Sequence, residues 1–117
     1  MDSFITIKEI DQATNYIKGK IVIAPKVGLV LGSGLGSLAD EVIDPVVIRY
    51  EDIPQWPVST IQGHAARLVI GSLYGVPCMV MQGRTHYYEG YSMDRVTFPI
   101  RVMQRLGIEI IMLTNAA

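Results

Sequence analysis

The sequence predicts an α/β fold, with a mixed central sheet and flanking helices formed by residues 1–117 as a single domain. Short apolar runs of the length of buried strands alternate with segments whose apolar residues recur at helical spacing. No internal repeat or low-complexity tract divides the chain. Half of its 117 residues are hydrophobic, and so short a chain cannot hide that much apolar surface alone. We therefore expect other subunits, or a further part of the polypeptide, to cover the excess.

The first predicted elements are a helix and a buried strand. Thr6 and Glu9 have the spacing of a capping box, and the apolar residues after them recur every three or four positions. This amphipathic helix is expected to end before Pro25. Val27–Leu31 is then a continuous apolar run of the length of a buried strand. A glycine-rich loop follows, and residues 37–42 allow a further helix.

Three strands are predicted in the middle of the chain. The first is Val46–Tyr50, and two prolines forbid regular structure in the segment that follows it. The run RLVIGSLYGVPCMVMQ, residues 67–82, then predicts two strands around a turn near Tyr74 and Gly75.

The last predicted elements are a kinked helix and a buried strand. Apolar residues recur at helical spacing from Ser92 to Leu106, with Ser92 as the expected N-cap. Pro99 cannot donate a hydrogen bond to the preceding turn, so we expect a kink there. Gly107 ends the helix, and residues 108–117 are expected to form a buried strand that runs into small residues.

The composition argues against several classes of protein. Ten basic and eleven acidic residues give a net charge of −1, so no overall field attracts nucleic acid or an anionic membrane. No segment has the ~20 apolar residues of a membrane helix, and the start of the chain lacks a signal-peptide pattern. Cys78 is the single cysteine and fits a reducing compartment, so we expect a cytoplasmic protein. The two histidines lack the spacing of a metal site, so we expect no metal.

Two segments that follow predicted strands carry groups suited to an anion. In GSGLG, residues 32–36, backbone N–H groups and the Ser33 hydroxyl are possible phosphate donors, although a plain structural turn explains the glycines equally well. In QGRTHYYEG, residues 82–90, Arg84 and His86 alternate, so in an extended segment both point to one side, as does Tyr88. A guanidinium and an imidazole suit phosphate oxygens, and a phenol suits a sugar hydroxyl. The alternative is a solvated strand edge.

Two further segments carry weaker candidates. In LTNAA, Asn115 ends a strand, and small Ala116 and Ala117 leave backbone N–H groups accessible to a ligand. A polar residue that merely ends a strand explains Asn115 as well. His64 lies in a segment with a flanking glycine, and a solvated surface histidine is the alternative. Together these segments predict a single ligand site at one end of the sheet.

Four motifs in this order point to a known family: VGLVLGSGLGSLADEV, STIQGHAARLVIG, MQGRTHYYEGYSMDRVTFPIRVMQRLGI and LTNAA. The set covers about Val27 to Ala117 and resembles the amino-terminal part of the trimeric, low-molecular-mass purine nucleoside phosphorylases. Methylthioadenosine phosphorylases are similar in plan but diverge in MQGRTHYYEGY. The resemblance implies a nucleoside phosphorylase-like fold, a homotrimer and phosphorolysis of purine nucleosides of the inosine and guanosine type. It also implies inorganic phosphate as co-substrate and no cofactor.

The resemblance implies a role for each candidate residue. Phosphate binding is implied for Ser33, Arg84, His86, the backbone of Ala116 and, on a nearby loop, His64. Arg84 and His86 would be the catalytic groups among them. Ribose or nucleoside contacts are implied for Tyr88, Asn115, Ala116 and Ala117, with Asn115 positioning the Ala116 amide.

The resemblance also implies that part of the enzyme is missing from this sequence. In the family, a glutamate and an asparagine that read the purine lie in the carboxyl-terminal half, with a further phosphate-binding serine and a histidine at the sugar. None has a counterpart here. We therefore expect an apparently truncated chain that is inactive alone. A non-catalytic phosphate-binding or assembly fragment, and a nucleosidase that uses water, stay open as alternatives.

Overall fold

Five strands form one mixed sheet in the computed structural model, which describes residues 6–31, 36–57, 66–82 and 93–113. The helices and strands are α1 (Ile7–Lys18), β1 (Val27–Leu31), β2 (Ile43–Arg49), β3 (Arg67–Leu73), β4 (Val76–Gln82), α2 (Met93–Arg105) and β5 (Ile110–Leu113). Short 3-10 helices span Gly36–Glu41 and Tyr50–Asp52. The predicted α/β class with a mixed sheet is confirmed. Neither helix in the described part of the chain has the length and hydrophobicity that a membrane span requires.

The strand directions define two ends of the sheet. Its strand order is β2-β3-β4-β1-β5, with β1 parallel to both β4 and β5, whereas β3 is antiparallel to β2 and β4. The three parallel strands therefore finish at the same end of the sheet, at Leu31, Gln82 and Leu113. We call this the carboxyl end, and β3 begins there, at Arg67. The opposite end, which contains the turn between β3 and β4, is the amino end.

A two-residue turn sets the register between β3 and β4. Tyr74 and Gly75 have φ values of 52° and 81°, and positive φ at both central residues matches the right-handed twist of a hairpin. The turn was predicted at these residues, and it pairs Leu73 with Val76. Counting back along both strands, the first residue of β3 then lies opposite the last residue of β4.

Both helices cover the same face of the sheet, which we call the helix face. The capping box is present: the Glu9 backbone N–H donates to the Thr6 hydroxyl, and the Thr6 backbone N–H donates to the Glu9 carboxylate. Apolar side chains of α1 and α2 are buried against the sheet, among them Ile17, Phe98 and Met103. Each such side chain contributes roughly 1.5–3 kcal/mol by burial, so the helices hold this face firmly.

The other face, which we call the open face, has less cover among the described residues. Leu29, Leu31 and Val80 pack there with residues of the 36–42 segment. Because side chains alternate along a strand, Ile110 and Met112 lie on this face, and they are 57% and 52% exposed. The prediction of a buried last strand is therefore wrong for the described residues 110–113: among the strands that the structure describes, β5 lies at the edge of the sheet and is paired with β1 alone.

The remaining differences from the prediction are local. β2 begins at Ile43, three residues before the predicted start, because a register shift between Ile43 and Val46 and a positive φ at Asp44 accommodate Pro45 in an edge strand. Tyr50 belongs to a 3-10 helix instead of the strand. Pro99 lies inside α2, and the predicted N-cap, Ser92, falls outside the described residues.

Candidate functional site

The residues selected from the sequence all lie outside the described residues. They are Ser33, His64, Arg84, His86, Tyr88, Asn115, Ala116 and Ala117. The assignment of these side chains to a site therefore stays a prediction. The structure does describe the strand ends to which their segments are covalently joined.

Three of these segments leave the sheet from neighbouring strand ends. Segment 32–35 follows Leu31, segment 83–92 follows Gln82 and segment 114–117 follows Leu113. Leu31 is paired directly with Gln82, and Leu113 is paired with Val30. Adjacent strands lie about 4.8 Å apart, so the three points of departure lie within about 10 Å of one another across the sheet.

The fourth segment, 58–65, enters the sheet at the same end. It leads through Ala66 into β3, whose first residue, Arg67, is paired with Gln82. The Tyr50 backbone N–H donates to the Ala66 carbonyl at 2.9 Å. All the segments that carry candidate residues therefore adjoin the carboxyl end of the sheet.

A buried aromatic cluster lies on the described side of the boundary with segment 58–65. Trp56 packs against Tyr50 and Phe98, with ring centroids 5.6 Å and 6.1 Å apart. All three side chains are buried, which supports a packing role for Trp56. Burial raises the pKa of Tyr50, so its phenol stays neutral at physiological pH.

Arg67 and Gln82 form a side-chain hydrogen bond at the carboxyl end. The Arg67 Nε donates to the Gln82 Oε1 at 2.6 Å, in a partly buried position. Both side chains lie on the open face, because each alternates with residues of the helix-face core. The bond therefore connects the strand that follows segment 58–65 to the strand that precedes segment 83–92.

The neighbouring Arg49 has a different environment. It is paired with Arg67 across β2 and β3, but its side chain is exposed and lies 3.4 Å from the Asp52 carboxylate and 3.9 Å from that of Glu51. Among the described residues, no carboxylate forms an ion pair with Arg67. The charge of Arg49 is therefore balanced locally, whereas that of Arg67 faces a neutral amide.

The amino end contains an apolar cavity of about 450 Å³. Its lining includes Val22, Ile43, Ile70 and Cys78, and the charged side chain among the described lining residues is the acidic Asp44. A carboxylate repels phosphate, and the mostly apolar walls offer it few hydrogen bonds. This cavity is therefore unsuited to an anion.

Within the described ranges, no three His, Cys, Asp or Glu side chains come together as metal ligands. Burial raises the pKa of the Cys78 thiol, and a protonated thiol is a poor ligand and nucleophile. Neither observation adds a chemical group to the candidate site.

Arg67 and Gln82 were not among the residues predicted from the sequence to form the site. A signal was available, because the predicted two-residue turn at Tyr74 and Gly75 fixes which residues of the hairpin face each other. The same count places Arg67 opposite Gln82, at the point where each adjoins a segment rich in candidate residues.

Comparison with known proteins places this chain in a defined group. Residues 26–117 match a family described as the phosphorylase superfamily. The chain is 58% identical over 108 residues to purine nucleoside phosphorylase 1 of Bacillus subtilis. The aligned region covers 92% of this chain and 40% of the relative. The chain is 43% identical over its whole length to purine nucleoside phosphorylase of Rattus norvegicus, again covering 40% of the relative.

Solved structures agree with the sequence comparisons. Isoform 2 of purine nucleoside phosphorylase from Schistosoma mansoni, in complex with cytosine and ribose-1-phosphate, matches with a TM-score of 0.89 and 42% identity. A Schistosoma mansoni purine nucleoside phosphorylase in complex with inosine matches with a TM-score of 0.87 and 44% identity. Both matches cover 96% of this chain and 39% of the solved chain. The chain thus spans about 40% of the length of the relatives that it matches.

Proposed function

Because this chain belongs to the phosphorylase superfamily, we propose that the protein containing it catalyses reversible phosphorolysis of purine nucleosides. The products are the free purine base and ribose 1-phosphate. Inosine and guanosine are the preferred substrates, inorganic phosphate is the co-substrate and no cofactor takes part. This chain supplies the phosphate site and part of the ribose site.

The observation that supports this proposal is the convergence of strand ends at the carboxyl end of the sheet. Leu31 and Gln82 are paired directly, and Ser33 and Arg84 each follow one of them by two residues. A residue two positions along the chain lies within about 7 Å of its anchor. The Ser33 hydroxyl and the Arg84 guanidinium are therefore within reach of one phosphate ion.

The chemistry requires fixed donors around that phosphate. A phosphate oxygen forms a bond to C1′ of the sugar as the bond from C1′ to N9 of the purine breaks, and the electron pair moves into the base. The base gains a proton and the hydrogen phosphate loses one, which gives the neutral purine and ribose 1-phosphate. Positive charge builds on the sugar, and the phosphate dianion beneath it stabilises this charge. Arg84, His86, Ser33 and the Ala116 amide hold the dianion, while Tyr88 and Ala117 lie against the nucleoside. Positioning and electrostatics thus provide the catalysis.

The remaining roles follow the same arrangement. His64, which precedes β3 by three residues, lies on a segment beside the phosphate, and Asn115 orients the Ala116 amide. We propose a homotrimer in the cytoplasm, in which neighbouring subunits and the remaining part of the polypeptide shield exposed apolar residues such as Ile110 and Met112. Burial of such surface favours association.

The test uses this chain and an extended chimera. The extended chimera joins residues 1–117 to the part of the Bacillus subtilis relative that follows its matched region. Each protein is incubated with inosine, with and without inorganic phosphate, and hypoxanthine, ribose 1-phosphate and ribose are quantified. We expect the chimera to release hypoxanthine and ribose 1-phosphate in equal amounts, and only with phosphate.

Each alternative has its own outcome. Hypoxanthine release with free ribose, independent of phosphate, would establish a nucleosidase and refute phosphorolysis. A folded chimera that releases no hypoxanthine would support the non-catalytic fragment. Phosphate-dependent release by the 117-residue chain alone would contradict the expectation that the chain needs the remaining part of the enzyme.

A further inference from the structure

We propose that Arg67 and Gln82 are a positioning pair, which fixes the strand ends from which the phosphate-binding segments depart. This inference rests on the proposed phosphorolysis and adds to it two residues that do not contact the substrate. Their hydrogen bond sets the geometry of groups that do.

The Arg67–Gln82 hydrogen bond joins two strand ends that adjoin candidate segments. Arg67 is the first residue of β3 and Gln82 is the last residue of β4. The segment with His64 leads through Ala66 to Arg67, and Arg84 follows Gln82 by two residues. Arg67 and Gln82 are the terminal pair of the β3–β4 ladder in the described part of the chain, and the side-chain bond reinforces this pair.

Gln82 is paired with residues of both neighbouring strands, β1 and β3. Its backbone is paired with Arg67 on one side and with Leu31 on the other, and Leu31 precedes the glycine loop with Ser33. The side chains of Leu31, Gln82 and Arg67 share the open face. A shift of the Gln82 strand end therefore moves Arg84 relative to both Ser33 and His64.

The chemical groups of the pair also suit a positioning role. A guanidinium is planar and rigid, so donation through Nε fixes its orientation. A hydrogen bond with one charged partner is stronger than a neutral one. Because its partner is an amide, Arg67 keeps its positive charge at the end of the sheet where an anion is proposed to bind. A carboxylate partner would cancel that charge.

The experiment compares three single variants of the extended chimera. Arg67→Met removes the donor and the charge, while Gln82→Leu removes the acceptor and leaves the charge. Arg49→Met is the matched control: it removes a guanidinium at the same sheet end, one strand farther away, from an exposed side chain paired with acids. The KM values for phosphate and inosine, kcat and the Tm are measured for each.

We expect Arg67→Met and Gln82→Leu each to raise the KM for phosphate about tenfold, because small misplacements of binding groups have effects of this size or larger. The KM for inosine should change less than twofold, and Arg49→Met should match the unsubstituted chimera. A phosphate KM within twofold of the unsubstituted value in both pair variants would overturn the proposal. Equal rises in both KM values would also overturn it, since they indicate a general structural defect.

A double variant separates positioning from damage to the fold. Arg67→Gln combined with Gln82→Arg exchanges the partners across the same pair, and we expect it to recover at least half of the loss in log KM for phosphate. No recovery, with a Tm equal to that of the unsubstituted chimera, would contradict the pairing. If a single variant does not fold, the double variant is used for the test. The proposal then requires the KM of the folded double variant for phosphate to lie within about threefold of the unsubstituted value.

Failure of this inference is distinguishable from failure of the proposed function. An unsubstituted chimera without phosphate-dependent activity counts against phosphorolysis, and the pair is then tested by the rise in Tm that inorganic phosphate produces. A smaller rise in Arg67→Met than in Arg49→Met supports the pair, and equal rises refute it. If the unsubstituted chimera is active and the KM for phosphate is unchanged in Arg67→Met and Gln82→Leu, only the positioning role of the pair is refuted.

Discussion

The two ends of the sheet are built from the same strands but offer different chemistry. At the carboxyl end, Arg67 and Gln82 form a partly buried polar bond, and four segments with anion donors adjoin the strand ends. At the amino end, the strands surround an apolar cavity with one acidic residue, Asp44, among its described lining residues. The cavity and the proposed phosphate site therefore lie at opposite ends of the sheet, and the strand directions favour the carboxyl end for an anion.

The contrast has a physical origin in the parallel strands. Carboxyl ends of parallel strands bring successive segments of the chain to one place, whereas the β3–β4 hairpin closes the amino end with two residues, Tyr74 and Gly75. Long segments can carry catalytic groups, and a tight turn cannot. Substitutions in the candidate segments at the carboxyl end, or in the Arg67–Gln82 pair that adjoins them, should therefore change phosphate use, and those at the amino end should change stability or nothing.

The largest effect is expected for Arg84→Gln in the extended chimera. Loss of a hydrogen bond to a charged group costs about 1.5–3 kcal/mol, which corresponds to a rise of roughly 10- to 150-fold in the KM for phosphate. Ile43→Ser, in the wall of the amino-end cavity, is the matched control, and it should leave the KM unchanged. Steady-state kinetics with varied phosphate measure both. Equal effects of the two substitutions would erase the distinction between the ends.

A smaller effect, on stability alone, is expected for Gly71→Ala near the amino end. An added Cβ would lie 2.6 Å from the Ile43 carbonyl oxygen and 2.7 Å from the Val42 Cγ1. Overpacking of this kind costs about 1–3 kcal/mol, and urea unfolding of the 117-residue chain measures it.

Gly28→Ala is the comparison for that measurement. Its added Cβ would meet the Met103 Sδ at 2.9 Å, and a thioether side chain can shift where a backbone carbonyl cannot. We therefore expect a smaller loss than for Gly71→Ala. The reverse order would show that the bulged start of β2 yields more easily than the helix face.

The smallest effect is expected at Cys78, whose thiol lines the amino-end cavity. Burial raises its pKa above the ordinary value of 9.0, so the native thiol stays protonated at a pH at which the unfolded thiol begins to ionise. Stability contributed by this group is therefore present below that pH and declines as the pH rises above it. Iodoacetamide at pH 8 should alkylate the native chain at least about tenfold more slowly than the urea-unfolded chain, because the thiolate is the reactive form. Equal rates would show that the thiol is accessible.

Much of the fold was predictable because its signals are local. The capping box at Thr6 and Glu9 and the turn at Tyr74 and Gly75 each depend on a few adjacent residues. The early start of β2 was not predicted, because it depends on an unusual φ at Asp44 beside a proline. The exposure of β5 was also missed, since an apolar strand has the same sequence pattern whether it lies in the middle or at the edge of a sheet.

The candidate site was predicted from residue types and strand ends, and its side chains stay a prediction because they lie outside the described residues. The residue types of Ser33, Arg84 and His86 suggested an anion, and strand ends suggested a common location. Sequence alone could not show that β1 lies between β4 and β5, because that order depends on contacts between distant parts of the chain. Arg67 was missed because an arginine at the start of a strand indicates no role by itself. Its role could be inferred only after its partner across the hairpin, Gln82, was known.

The most direct test of the account is a crystal structure of the extended chimera grown with inorganic phosphate. The account predicts one phosphate ion at the carboxyl end of the sheet, with the Ser33 Oγ, the Arg84 guanidinium and a His86 ring nitrogen each within about 2.7–3.2 Å of its oxygens. A phosphate bound elsewhere, or these three side chains directed to separate surfaces, would contradict it.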